Sequence, residues 1–214
     1  MENMGYVIIG LLVTIGLIFI IYYTYFLKVG REDMITLING PTKFVYDFEK
    51  ELYLENLVKN RDTFYIPNKK FGLTLKWEMY IPNTSGNNQW RTSFSNLKPI
   101  INFNDNISIE YQPKIGYLLF RFKYSDNPFQ SHYPELRVDN IKLQKWNTII
   151  LVIHDRNISI YIDYNIVKTK TLPNIPIINF NKIKIGKINN NFLGTIKNMY
   201  MYPYPIQYQE LKKI

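Results

Sequence analysis

The chain has 214 residues, 26 Lys and Arg against 17 Asp and Glu, a net charge of +9 and no cysteine. Without cysteine there is no disulfide framework, thiolate metal site or cysteine nucleophile, and the two histidines, His132 and His154, leave a histidine-based metal centre short of ligands. A hydrophobic content of 46% with 16% aromatics excludes a disordered chain, and the length fits one folded domain.

The chain has 32 Ile, 24 Asn and 20 Lys but no Ala, a bias of the kind that A/T-rich coding produces. Lysine runs and Asn-x-Ser/Thr matches therefore carry reduced weight. The three such matches, at Asn83, Asn106 and Asn157, are close to chance.

No charged side chain lies between Glu2 and Lys28. Residues 5–27 read GYVIIGLLVTIGLIFIIYYTYFL. As a helix rising about 1.5 Å per residue, this stretch reaches roughly 34 Å, enough to cross a hydrocarbon core of about 30 Å. The expectation is a single-pass transmembrane anchor over residues 1–28, with Tyr22, Tyr23, Tyr25 and Lys28 at the membrane interface. A cleaved signal peptide fits less well, because the apolar core is long, the start carries Glu2 without Lys or Arg, and no small-residue cleavage site follows. Lys28 and Arg31 flank the C-terminal side, so the positive-inside rule places the domain on the cytoplasmic face.

Residues 29–70 read as a lead-in, either a short helix from about Asp47 to Asn60 or the first strands. Phe44, Phe48 and Leu52 recur at intervals of four. From Phe71 the period becomes two. Leu73, Leu75, Trp77, Met79 and Ile81 alternate with Thr74, Lys76, Glu78 and Tyr80, which predicts a half-buried strand. Further strands are expected at Ile107 to Tyr111, Gly116 to Tyr124 and Ile158 to Asp163, then at Ile166 to Thr169, Lys182 to Gly186 and Gly194 to Tyr200. Thr148 to His154 is almost continuously apolar and suits a strand covered on both faces. Many short strands between turn residues indicate an all-β sandwich over 71–214.

The stretch from Trp146 to Leu211 resembles the concanavalin A-like jelly roll, in its laminin G-like and pentraxin-like branch. The resemblance rests on Trp146 opening an apolar strand and on Ile158-Ser159-Ile160-Tyr161-Ile162-Asp163. It continues through Ile183-Lys184-Ile185-Gly186, Phe192 to Tyr200, and a closing Gln209-Glu210-Leu211. Upstream, Leu73 to Ile81 resembles the early family strand with a central Trp. The family's usual Gly after the hairpin Asp is replaced, giving Asp163-Tyr164-Asn165. Tyr resists positive φ, so a longer or reshaped turn is expected there. This domain behind an N-terminal anchor also resembles membrane proteins of large DNA viruses. That likeness implies a virion membrane or minor capsid-associated protein that tethers a membrane to a protein partner such as capsid.

No catalytic constellation stands out. The E-x-D-x-x-E string of the glucanase branch is absent, and Asp155 and Asp163 read as turn formers. No phosphate-binding glycine loop is present. The expectation is no enzyme activity, no cofactor and no specific nucleic-acid partner. Calcium is the one cofactor alternative, through Asp105, Asp126, Asn127 or Asp139, as the resemblance implies. The principal expectation is a structural or interaction protein, with a lectin-like glycan-binding module as the alternative. Loops rich in Asn and aromatics nominate Asn87, Asn88, Trp90, Asp126, Asn127 and Tyr133 for glycan or partner binding. Trp77 and Trp146 lie on strands and are expected in the core.

Overall fold

The computed structural model describes residues 13–21, 34–45, 47–53, 72–82, 96–123, 133–139, 141–178 and 181–212. The chain divides into two compact units, Met1–Met34 and Ile35–Ile214. In the first, residues 13–21 are helical and their apolar side chains, Phe19 and Ile21 among them, are exposed. No helix among the described residues is long and apolar enough to cross a membrane. The rest of the expected anchor, with Tyr22, Tyr23, Tyr25 and Lys28, lies outside the described residues.

The second unit is all-β. Its described strands are β1 (Ile35–Ile38), β2 (Thr42–Phe44), β3 (Glu49–Tyr53), β4 (Gly72–Tyr80), β5 (Lys98–Phe103), β6 (Ile107–Gln112) and β7 (Tyr117–Phe122). They continue as β8 (Glu135–Val138), β9 (Trp146–His154), β10 (Asn157–Ile162), β11 (Asn165–Thr171), β12 (Lys182–Gly186) and β13 (Gly194–Tyr202). The first sheet runs β1-β13-β4-β9-β10-β11, with β2 also on β13, and the second runs β3-β12-β5-β6-β7-β8. Pairing is antiparallel throughout both.

The period of two creates the sandwich. Leu73, Leu75, Trp77 and Met79 of β4, with Ile149, Leu151 and Ile153 of β9, bury one face of the first sheet. Ile101, Phe103, Ile107, Ile109, Phe120 and Phe122 bury the facing side of the second. A slip of one residue would exchange these apolar sets for Lys76 and Glu78, so the apolar pattern fixes the register.

The lead-in contributes strands. Glu49–Tyr53 pairs with β12, and Glu51 accepts ion pairs from Lys182 at 2.9 Å and Lys184 at 3.2 Å. Phe44 ends β2 on the first sheet, Leu52 lies in β3 on the second, and Phe48 sits in the connection between them; all three pack on the core, so their spacing of four marks neither one helix nor one strand. Residues 54–71 lie outside the described residues.

The turn at Asp163 is a correction. Ile162 pairs directly with Asn165, leaving a two-residue turn with φ of 50° at Asp163 and 63° at Tyr164. The tight turn is kept despite the missing Gly. Lys76 Nζ lies 5.5 Å from the Tyr164 ring centroid, a cation–π contact that helps hold this backbone.

Asn191, only 6% exposed, ties the two connections at one end of the sandwich together. Its Nδ2 donates to the Val45 carbonyl at 2.7 Å and the Phe48 carbonyl at 2.6 Å, while its Oδ1 accepts from the Lys187 N–H at 2.9 Å. Gly186, at φ 74°, makes room for this: a Cβ there would sit 2.8 Å from Asn191 Oδ1 and 2.9 Å from the Phe48 carbonyl. Gly186→Ala combines left-handed strain of about 1–2 kcal/mol with a displaced hydrogen bond of about 1 kcal/mol, and is expected to lower stability by about 2–3 kcal/mol in urea unfolding.

Candidate functional site

Strand parity sends half of β4, β9 and β13 to the outer face of the first sheet. Direct cross-strand partners share a face, so the register sets that surface in rows. One row is Thr195, Tyr80 and Trp146; the next is Lys197, Glu78 and Thr148; the third is Tyr200, Lys76 and Ile150. Trp146 is thus not a core residue. Its neighbour Asn147 points inward and is fully buried, while Trp146 is 39% exposed. Trp77 alone of this pair is in the core. The expectation that Thr148 to His154 is covered on both faces holds for Ile150 and Val152, which are buried on the outer side, but not at the ends of the run, where Thr148 is half-buried and His154 exposed.

The other end of the face is already occupied. Thr74 Oγ1 donates to the Tyr204 carbonyl at 3.0 Å and accepts from the Ile206 N–H at 2.8 Å. Tyr208, in the helical turn Tyr208–Leu211, stacks on Tyr161 with ring centroids 5.9 Å apart. Nearby, burial pushes the Tyr202 phenol up to about 12, so it stays a neutral hydrogen-bonding group. The C-terminal segment therefore straps the Thr74 end and leaves the Trp146 end presented.

At that open end the Tyr80 and Trp146 rings lie 5.6 Å apart, tilted by 48°. Lys197 Nζ sits 4.3 Å from the Trp146 ring centroid and 3.1 Å from a Glu78 carboxylate oxygen. Asn198 Nδ2 donates to the other Glu78 oxygen at 2.8 Å. Lys197 and Asn198 are adjacent in sequence and would normally face opposite sides of the sheet. A bulge brings both to Glu78: β13 spends three steps from Lys197 to Tyr200 where β4 spends two from Glu78 to Lys76. Asn198 absorbs it at φ 52°, a conformation Asn tolerates, and Met199 returns to the core. Asn198→Ala should cost about 1 kcal/mol more than Asn198→Gly in urea unfolding, because both remove the amide and only Ala strains the bulge.

The result is an exposed aromatic surface beside an ordered carboxylate, amide and ammonium. Such a set can stack an apolar ring face and hydrogen-bond the groups at its rim. Little side-chain ordering remains to be done on binding.

Of the residues nominated from the sequence, Asn87, Asn88, Trp90, Asp126 and Asn127 lie outside the described residues. Tyr133 is exposed ahead of β8. For calcium, Asp105 closes a turn with Asn102, donating its N–H to Asn102 Oδ1 at 2.7 Å, and Asp139 pairs with Arg137 at 2.6 Å. Among the described residues no three His, Cys, Asp or Glu gather as metal ligands. His154 is exposed at the end of β9, 3.7 Å from Asp155. The signal that identifies Trp146 is parity: counting back from Ile149 places it on the face opposite the core.

No protein-family model and no curated protein sequence matches the chain. Solved structures do. The chain is similar to the botulinum neurotoxin serotype G binding domain, with a TM-score of 0.59 and 13% identity over 85% of this chain and 44% of that one. It is similar to a botulinum neurotoxin serotype D/C binding domain at TM-score 0.54 and 16% identity, over 83% of this chain and 44% of that one. It is also similar to a structure of botulinum neurotoxin type C, which is dependent upon interaction with two ganglioside molecules to enter cells. There the TM-score is 0.56 and the identity 14%, over 83% of this chain and 43% of that one. The chain thus spans less than half the length of these structures, and the shared property is the β-sandwich fold.

Proposed function

We propose that this chain is a glycan-binding β-sandwich module of the concanavalin A-like class, whose ligand lies on the outer face of the first sheet at Trp146 and whose role requires no catalysis. One observation carries the reading: Trp146, 39% exposed, next to a pre-ordered Glu78, Asn198 and Lys197. The C–H face of a sugar ring is apolar and its rim is hydroxyl-rich, which matches an aromatic surface edged by a carboxylate, an amide and an ammonium. The indole supplies stacking area and the rim groups select hydroxyl geometry. The fold shared with toxin binding domains, one described with gangliosides, supports glycan binding over the tethering of a capsid or other protein partner.

The apolar helical segment at residues 13–21 favours membrane tethering as an added property of the same molecule. A glycan-binding role then places the sandwich on the lumenal or external side. Binding of the detergent-solubilised full chain to an immobilised glycan array that includes gangliosides tests the proposal. Selective binding to a subset of glycans is expected. No binding to any glycan at protein concentrations up to about 100 μM, a dissociation constant equivalent to only about −5.5 kcal/mol, would overturn it.

A further inference from the structure

The two edge strands on one side of the sandwich, β8 of the second sheet and β11 of the first, do not pair. Between them opens a cleft of about 490 Å³, in the size range of small-ligand sites. It is distinct from the Trp146 surface. Its polar lining comprises Arg137, Asp139, Lys142, Asp163, Asn165 and Lys168.

Charges on the two walls are unequally matched. Arg137 pairs with Asp139 at 2.6 Å and lies over the Tyr117 ring at 4.2 Å, so that wall is neutral and fixed. Lys142 pairs with Asp163 at 3.0 Å, and the other Asp163 oxygen accepts the Thr148 N–H at 3.0 Å. Lys168 has no ion-pair partner among the described residues. The register places it opposite Ile160, an inward-facing core residue, so it stands on the inner side of the sheet at its open edge. A bulge sets this position. Ile160 pairs with Lys168 and Tyr161 with Ile166, leaving Val167 as the extra residue, and Val167 itself lines the cleft. The strained turn at Asp163 and Tyr164 forms the adjoining end. Bulges and positive φ at non-glycine residues are features retained where local geometry is used.

We propose that this cleft binds the oxyanion of a small acidic ligand, a sugar carboxylate or a phosphate. Lys168 supplies the uncompensated charge, Lys142 and Asn165 add donors, and Val167 and Ile162 form the apolar wall. Inward-pointing charge on an edge strand also discourages strand addition. The experiment must therefore separate a ligand site from that simpler role.

Isothermal titration of the detergent-solubilised full chain with glucuronate, glucose 6-phosphate and neutral glucose does so. At least one of the two anions is expected to bind with a millimolar or lower Kd and glucose not to bind, and the tighter anion identifies the oxyanion. Lys168→Met should weaken that binding at least tenfold, and Lys168→Arg should restore most of it. Lys168 is solvent-exposed, so its replacement does not threaten the fold. Failure of both anions to bind, equal binding of glucose, or a Lys168→Met protein that binds normally and only aggregates more would overturn the proposal.

Discussion

Replacing Trp77 by Ala is expected to lower the unfolding free energy by about 3–5 kcal/mol, the range for deleting a buried aromatic ring. Trp77 is fully buried on β4, whose neighbours are β13 and β9, and its ring centroid lies 6.5 Å from that of Phe120 across the sandwich. The surrounding residues, Ile149 and Met79 among them, belong to a two-sheet frame that cannot collapse around the void without shifting a whole strand. A second variant exposes the cause. The indole Nε1–H of Trp77 has no hydrogen-bond partner among the described residues. A buried orphan donor costs about 1–3 kcal/mol, and Trp77→Phe removes it together with part of the ring. The two effects oppose, so Trp77→Phe should lose less than about 1.5 kcal/mol. Urea unfolding followed by far-ultraviolet circular dichroism reads both. Equal losses for Ala and Phe would show that filling this volume contributes little to the stability of the sandwich.

Trp146→Ala is expected to do the reverse: to remove glycan binding while sparing the fold. The residue is 39% exposed, and its folded-state contacts among the described residues include the tilted Tyr80 ring and the Lys197 ammonium. Losing these costs the sandwich about 1 kcal/mol. A central aromatic anchor is a binding hot spot worth about 2 kcal/mol or more, which is roughly a 30-fold loss of affinity. Trp146→Phe, keeping a smaller stacking surface, should fall between. The check is an affinity titration of both variants against a glycan that the wild-type chain selects. A Trp146→Ala protein of native stability and native affinity would move the site off this face.

Most of the sandwich was legible because strands with one buried face announce themselves by alternation. The apolar sets of β4, β6, β7 and β10 show it directly. Elements that break the period were not. β5 contains Pro99, and its register against β6 shifts between Pro99 and Ile101, so Lys98–Phe103 does not alternate cleanly. β8 spans only Glu135–Val138, too short for a pattern to emerge. The outward Trp146 surface was hidden for a related reason. β9 carries apolar residues on both faces, so composition alone does not say which face is the core; once the buried Asn147, held by bonds to the Lys142 and Lys145 carbonyls at 2.8 Å and 3.0 Å, and Ile149 are placed inward, parity turns Trp146 outward. The Asn198 bulge leaves no trace in composition; it exists because β13 must pass Lys197 and Asn198 to the same side of Glu78.

In the proposed glycan complex a sugar ring lies against Trp146. Saturation-transfer difference NMR, with the full chain and a glycan chosen from the array, addresses it directly. Stacking on the indole predicts that saturation concentrates on the axial protons of one sugar face and disappears in Trp146→Ala. Saturation spread evenly over the glycan, or unchanged in Trp146→Ala, would contradict it.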